Sequence, residues 1–356
     1  MPTDPKRAWP VRLPAIAATF VIAITGGLAF AALQIPAAWL SGPATAVAIA
    51  VIAGFKSDVP SELRSLSLLF LGSVMGASVT PDTIGQLAQS PLTVAGLFVC
   101  LGAVMISITC YLRFVHKFDA LTAQLGAAPG ASLYVLALAE ETGADIRRVA
   151  IVQMIRLVAL IILLPSIFAI LGYAGDVAAS PVATRAVHWP HIAVLGVSAL
   201  VLACVFEWLR VPTGIMFGAM VAGGLLFGSG TITTGLPEWL MLPGFVVIGA
   251  VVGSNFQGTT RQQFGETLLA GVGTVVVGSI ASLSVAVPFA FFAELPLAQM
   301  WLAYAPGGVD TMSVLALAIG LEPAFVAAHH LARFLCLALF LPFWFRGHIQ
   351  AQRAKS

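Results

Sequence analysis

Two arginines inside long apolar segments are the residues most suited to carry chemistry in this chain. Arg156 and Arg333 each fall near the middle of an apolar run. A guanidinium group left at the centre of a bilayer costs about 2.5 to 3.5 kcal/mol on insertion scales, so each side chain needs partners. Either both face a central cavity and bind a carboxylate or similar anion through paired donors, or each holds nearby backbone carbonyls or an acid such as Asp310.

Three further ionisable residues accompany the second arginine. His329 and His330 precede Arg333 by about one helical turn, and a neutral imidazole can relay protons near physiological pH. Hydrogen-bonded packing is the alternative for both histidines. Asp310 is either the counter-charge of Arg333 or a site for a coupling proton or cation. No third ligand lies at a usable spacing, so the sequence predicts neither a metal site nor a cofactor.

Two short motifs interrupt apolar segments and are expected to face the same site. Proline removes a backbone donor and glycine permits a change of direction, so both break a helix. We name Ala128-Pro129-Gly130 the first tip and Ala305-Pro306-Gly307-Gly308 the second tip. A packing kink is the alternative for each. The predicted solute-binding residues are Pro129, Gly130, Arg156, Pro306, Gly307, Gly308, Asp310 and Arg333, with His329 and His330 as a proton relay.

Composition places these residues in a membrane protein. Of the 356 residues, 59% are hydrophobic and 9% are charged, against about 25% charged in soluble domains. A formal net charge of +2 does not provide the basic face that nucleic acids require. Neither a phosphate-binding glycine loop after a strand nor a Ser, His and Asp constellation is present, so we expect a protein that is not an enzyme.

Twelve apolar segments follow one another, and a run of about 20 residues spans a hydrocarbon core. The first half has 13–33, 37–55, 63–79, 92–115 and 146–171, with the interrupted segment 120–140. The second half has 191–209, 212–227, 240–255, 265–292 and 323–345, with the interrupted segment 297–319. The order of segments is the same in both halves.

Residue identities at a fixed shift support an internal repeat with halves 1–175 and 176–356. A shift of 177 positions superimposes Gly72 on Gly249, Gly76 on Gly253, Pro129 on Pro306, Gly130 on Gly307, Gly143 on Gly320, Arg156 on Arg333 and Pro165 on Pro342. Arginine and proline are scarce inside membranes, so their coincidence at one shift favours duplication over chance.

Basic residues distinguish two topologies, because short cytoplasmic loops are enriched in Lys and Arg. If both interrupted segments cross, eleven basic residues fall inside and four outside; if both are re-entrant, fourteen fall inside and only Arg185 outside. The second split favours re-entrant hairpins. Five crossings per half then make the second half inverted. The predicted fold is an all-α integral membrane protein with two inverted-topology repeats and both termini cytoplasmic. Each repeat has about five transmembrane helices plus one re-entrant or broken Pro-Gly segment.

With these motifs in hand, the chain resembles the AbrB-type duplicated membrane proteins of bacteria. The resemblance rests on Leu33-Gln34-Ile35-Pro36 through Ser41-Gly42-Pro43, on the echo Val211-Pro212-Thr213-Gly214, and on the two tips. It implies a bacterial inner-membrane location and a fold similar to cation/proton antiporters and anion transporters. The family has also carried labels of transcriptional regulator and ammonia monooxygenase.

Inverted halves with irregular backbone near mid-membrane are typical of secondary transporters. We therefore expect a transporter of a small, anionic, carboxylate-type solute, coupled to a proton or sodium gradient. A membrane-embedded regulator or sensor of gene expression is the alternative, and an oxygenase subunit is a distant third. The expected partners are the solute, membrane lipid and, as an open question, a second copy of the chain; nucleic acid is not among them.

Overall fold

The computed structural model describes residues 9–77, 90–130, 132–172, 187–211, 213–232, 236 and 241–345. Within these ranges the regular secondary structure is helical and contains no β-strand. This confirms the all-α prediction. Both termini, whose predicted location is cytoplasmic, lie outside the described residues.

The helices follow the predicted segments to within a few residues. Those of the first half are α1 (Trp9–Ala32), α2 (Ala38–Ile52), α3 (Ser61–Ala77), α4 (Ser90–Cys110), α5 (Ala120–Ala127), α6 (Ser132–Thr142) and α7 (Ile146–Ile170). Those of the second half are α8 (Trp189–Trp208), α9 (Gly214–Gly228), α10 (Met241–Ser254), α11 (Arg261–Phe292), α12 (Leu297–Tyr304), α13 (Val309–Ala318) and α14 (Pro323–Trp344). A π-helical turn, Tyr111–Val115, extends α4.

Six described helices are long and apolar enough to cross a membrane, namely those that contain Arg12–Ala32, Pro91–Val115, Ile146–Ile170, Trp189–Trp208, Arg261–Phe292 and Pro323–Leu341. The other four predicted spans form shorter helices. Helices α2 and α9 have 15 residues each, α3 has 17 and α10 has 14. Helix α2 stops before the predicted end of its run because Gly54 adopts φ +106°, a left-handed turn that ends the helix.

The described chain forms two compact units. The first unit comprises Met1–Ala88, Ile161–Gly258 and Ser313–Phe325, and the second comprises Gln89–Leu160, Thr259–Met312 and Val326–Ser356. Each unit therefore takes segments from both halves of the sequence. The two compact units therefore differ from the two predicted halves, 1–175 and 176–356. The halves describe the sequence repeat and stay a prediction.

Glycine spacing fixes the helix packing of the first unit. A Cβ built on Gly72 of α3 would lie 2.5 Å from the Met216 carbonyl oxygen of α9, and one on Gly249 of α10 would lie 2.5 Å from the Leu40 carbonyl oxygen of α2. Only glycine permits such an approach of backbone to backbone. Gly249 lies 177 positions after Gly72, and Met216 lies 176 after Leu40. The same contact is therefore made twice. In one case the first half supplies the glycine and the second half the carbonyl, and in the other case the reverse holds.

In the second unit, the first interrupted segment is a hairpin. Helices α5 and α6 span about 12 and 16 Å at 1.5 Å per residue, so a segment continuing in one direction would separate its ends by roughly 28 Å. The Thr122 hydroxyl of α5 nevertheless accepts the Asp145 amide, three residues beyond α6, at 2.9 Å. The chain therefore returns to the end at which it entered, as the re-entrant prediction requires of this segment.

Side-chain caps fix the base of this hairpin. Asp119 precedes α5 and accepts the Thr122 amide at 3.0 Å, and Asp145 precedes α7 and accepts the amides of Arg147 and Arg148 at 3.1 Å each. Desolvation works to raise the pKa of Asp119, but hydrogen bonds from Thr122 and from the backbone amides of Leu121 and Asp119 together lower that pKa. The charged carboxylate is thus the form that stabilises the start of α5.

Candidate functional site

The first tip follows the end of α5, and Arg156 of α7 binds the carbonyl oxygens around it. Arg156 Nη1 donates to Gly126 O at 3.1 Å and to Ala127 O at 3.3 Å, and Nη2 donates to Ala128 O at 3.0 Å. The last carbonyls of a helix have no hydrogen-bond donor within it, so the guanidinium supplies the donors that α5 lacks. The Arg156 residue is only 2% exposed.

The second tip follows α12 and is held in the same manner by Arg333 of α14. Arg333 Nη1 donates to Ala305 O at 2.6 Å, and Nη2 donates to Gly307 O at 2.5 Å. Nη2 also lies 2.7 Å from His330 Nδ1. Arg333 is 2% exposed, yet its Nε has no hydrogen-bond partner. The Nε–H donor of this buried cation is therefore unused.

The two tips lie close together within the second unit. A Cβ built on Gly130 of the first tip would lie 3.3 Å from Arg333 Nη2, 3.5 Å from Gly307 O and 3.8 Å from Arg333 Nε. Gly130 adopts φ +78°, where residues with a Cβ are strained. The first tip thus presents bare backbone to the edge of the Arg333 guanidinium that carries the unused donor.

A second pair of residues repeats between the halves, although their types differ. Gln153 lies one turn before Arg156, and its Nε2 donates to Leu125 O at 3.2 Å. His330 lies one turn before Arg333, and its Nε2 is 3.1 Å from Leu302 O. A shift of 177 superimposes Gln153 on His330 and Leu125 on Leu302. A glutamine and a histidine therefore make the same bond to equivalent carbonyls.

His329 belongs to a neighbouring buried network. Its Nε2 lies 2.8 Å from Thr93 Oγ1 of α4, and the Tyr304 hydroxyl donates to Thr93 O at 2.6 Å. The Cys100 thiol lies 3.7 Å from Tyr304 O. His329 and His330, which the sequence grouped as one proton relay, thus form hydrogen bonds with different elements, although the His329 ring also contacts Tyr304 of α12.

Asp310 lies in the first turn of α13. Its Oδ1 accepts the amide of Thr311 at 2.9 Å, and a Cβ on Gly308 would lie 3.4 Å from the same oxygen. Arg333 directs its donors to carbonyls and to His330 rather than to this acid. Pro129 and Pro306 are buried and stand between the arms of the two broken segments.

The described residues contain no cluster of three or more His, Cys, Asp or Glu that could hold a metal ion. What the site offers instead is positive charge and backbone amides. Helices α6 and α13 both begin at a tip and direct the positive ends of their dipoles towards it. The arginines cover the carbonyls that end α5, and those that follow α12. Such an arrangement favours a negatively charged ligand.

Comparison with known proteins places this site in a family. Residues 39–348 match the family described as "Transition state regulatory protein AbrB". The chain belongs to the AbrB family. The AbrB match includes both tips, both buried arginines and both histidines, and it confirms the resemblance drawn from the motifs.

Two relatives match this chain over most of the length of both proteins. The "Putative regulator AbrB" of Escherichia coli (strain K12) is 27% identical over 331 residues, which is 90% of this chain and 93% of the relative. The "Uncharacterized protein YhjN" of Bacillus subtilis (strain 168) is 26% identical over 302 residues, 79% of this chain and 77% of the relative. Both matches extend over most of this chain rather than over one segment.

Proposed function

We propose that this AbrB-family protein is a secondary transporter that moves a small carboxylate solute across the bacterial inner membrane, driven by a proton or sodium gradient. One observation carries the proposal. The tips of two broken segments meet beside Arg333, a buried cation whose Nε–H donor is unused. Irregular backbone is tolerated inside a membrane only where protein or a water-filled cavity surrounds it.

The charges around the tips support an anion rather than a cation. Helix α6 has no acidic residue in its first turn, so its amino-terminal end is not neutralised. Helix α13 carries Asp310 in its first turn, so its amino-terminal end already faces a carboxylate. The first tip and Arg333 together therefore form the more electropositive half of the site. A carboxylate bound there loses its hydrating water molecules and gains hydrogen bonds from the guanidinium and from backbone amides.

The proposal includes the inverted arrangement of the two halves. Each half would supply five crossing helices and one hairpin, and an odd number of crossings places the second half upside down relative to the first. The reciprocal glycine contacts of α3 with α9 and of α10 with α2 fit such a pairing. Both termini would then be cytoplasmic.

Uptake into proteoliposomes tests the proposal. The purified full chain is reconstituted, and accumulation of radiolabelled lactate, succinate and citrate is measured under an imposed proton gradient, an imposed sodium gradient and no gradient. We expect one gradient to drive accumulation of at least one carboxylate. Empty liposomes and liposomes carrying Arg333→Gln are the controls. Equal labelling in all samples would refute the proposed function.

The name of the Escherichia coli relative, "Putative regulator AbrB", favours a second candidate, a membrane-embedded regulator. A regulator would bind a solute at the tips and pass the signal to a partner without moving the solute. Carboxylate-induced thermal stabilisation together with no flux under either gradient would select this candidate over the transporter.

A further inference from the structure

We infer that His330 is the proton-binding residue of the transporter and that it exchanges places with the solute carboxylate on one edge of the Arg333 guanidinium. The inference rests on the proposed function and names both its coupling ion and the residue that carries it. Carboxylate and proton would then cross together.

The hydrogen bonds of His330 fix the position of its ring proton. A guanidinium group only donates, so His330 Nδ1, 2.7 Å from Arg333 Nη2, accepts. Leu302 O only accepts, so His330 Nε2, at 3.1 Å, donates. One nitrogen therefore carries the proton and the other does not. In the absence of solute the ring is neutral.

The guanidinium of Arg333 has two edges that matter here. Both nitrogens of one edge have hydrogen-bond partners, and only one nitrogen of the other edge does. Its end, Nη1 and Nη2, binds Ala305 O and Gly307 O. Its side edge, Nε and Nη2, contacts His330 through Nη2 alone, while Nε has no partner. A carboxylate can bind such an edge with both oxygens. Gly130 faces this edge, so its position adds no side chain between the backbone of the first tip and the guanidinium.

Binding of a carboxylate to the side edge releases His330 Nδ1. The released nitrogen has a lone pair beside a negative charge, which favours its protonation. The proton comes from the aqueous side that delivers the solute: a carboxylate and a proton enter, the O⁻ pairs with Arg333, and Nδ1–H forms. Arg333, His330 and the bound carboxylate together carry one net positive charge after the exchange, as Arg333 and His330 do before it. On release the proton leaves Nδ1 and the Arg333–His330 bond reforms.

The other groups around His330 do not change partners in this exchange. His329 on the same helix contacts Thr93 Oγ1 of α4, away from the guanidinium. Helix α12 presents the Leu302 carbonyl to His330, and Arg156 remains bound to the first tip. His330 is therefore the titratable group that the solute displaces directly.

The first half of the chain provides the matched control. Gln153 makes the same bond to Leu125 O that His330 makes to Leu302 O, but an amide does not titrate. His330→Gln therefore copies into the second half a side chain that the first half already uses. We expect this variant to fold, to bind carboxylate and to lose the coupled proton.

The test measures proton uptake when carboxylate binds. Purified full-chain protein in weak buffer at pH 7 is titrated with lactate, succinate and citrate while a pH indicator is followed. The parent should take up about one proton for each carboxylate bound, as linkage requires of a group that becomes protonated on binding. His330→Gln should bind with little or no uptake, and His329→Gln should behave as the parent. Undiminished uptake by His330→Gln would overturn the inference.

A second measurement does not depend on any variant being stable. Nitrogen NMR of protein with ¹⁵N-labelled histidine rings should show His330 as the neutral Nε2–H tautomer without carboxylate and as imidazolium when carboxylate is saturating. A ring that stays neutral refutes the exchange even if uptake into liposomes is observed. If the parent neither binds nor moves any of the three carboxylates, the proposed function fails together with this inference.

Discussion

Replacing Arg156 by Lys should destabilise the protein and yet preserve its response to solute. Arg156 uses two nitrogens to hold three carbonyls of residues 126–128 at 3.0 to 3.3 Å. The single lysine nitrogen keeps the charge but cannot occupy both nitrogen positions. At least one buried carbonyl then loses its partner.

The expected size of the effect follows from these bonds. An unpaired buried acceptor costs about 1 to 3 kcal/mol, so Arg156→Lys should lose about that much stability. Arg156→Met would strand all three carbonyls, a loss of roughly 3 to 9 kcal/mol. It would also remove a cation whose insertion costs about 2.5 to 3.5 kcal/mol, so the two effects partly cancel. The Lys variant is therefore the clearer experiment.

Thermal unfolding in detergent, with and without the carboxylate that the parent binds, is the assay. Arg156→Lys should melt several degrees below the parent and gain as much stability from solute as the parent does. Arg333→Lys should also melt lower, and it should gain nothing from solute because its side edge is lost. Arg147→Lys, exposed on the same helix as Arg156, is the control. An Arg156→Lys variant that melts like the parent but ignores solute would refute the structural role.

Three further substitutions test other parts of the structure. Gly130→Ala should weaken solute-induced stabilisation, because the added Cβ would crowd the guanidinium edge and because the φ of +78° at this residue is strained for alanine. Gly102→Ala is the control and should have no such effect, since a Cβ there meets nothing within 4 Å. Asp119→Ala should cost about 1 kcal/mol. Because the pKa of Asp119 is lowered by folding, its contribution is present above pH 3.8 and is lost as the pH falls through the folded pKa, so the variant and the parent should converge in acid. In a cysteine-free background, Gly143→Cys should resist an impermeant reagent added outside and Glu294→Cys should react; labelling of Gly143→Cys would contradict the re-entrant topology.

Sequence reasoning located the breaks in the helices because their causes are local. Proline and glycine act on their own backbone, and α5 and α12 end at Ala127 and Tyr304, directly before the two tips. The same reasoning placed Arg156 and Arg333 within apolar runs and required partners for them. The backbone properties of proline and glycine sufficed for the first step, and hydropathy and charge sufficed for the second.

The partners themselves depend on tertiary contacts that spacing does not specify. Arg156 reaches carbonyls 28 to 30 residues earlier in the chain, which is possible only because the hairpin closes between Thr122 and Asp145. Gln153 was missed because the comparison of halves considered identical residues, and its counterpart is a histidine. A search for polar residues matched at the same shift, whatever their type, would have found the pair.

The closure of the first hairpin determines how its tip can move. Because the base is fixed by the bond between Thr122 and Asp145, the hairpin cannot lengthen or slide along its own axis. The tip is held as well, because Arg156 of α7 donates to the carbonyls of residues 126–128, so a tilt of the arm about its base must carry α7 along or break those bonds. An arm of about 16 Å, the length of α6, converts a tilt of about 10° into roughly 3 Å at the tip. A tilt of that size would move Gly130 by about the length of one hydrogen bond relative to the guanidinium edge, so the three bonds from Arg156 determine how readily the first tip tilts.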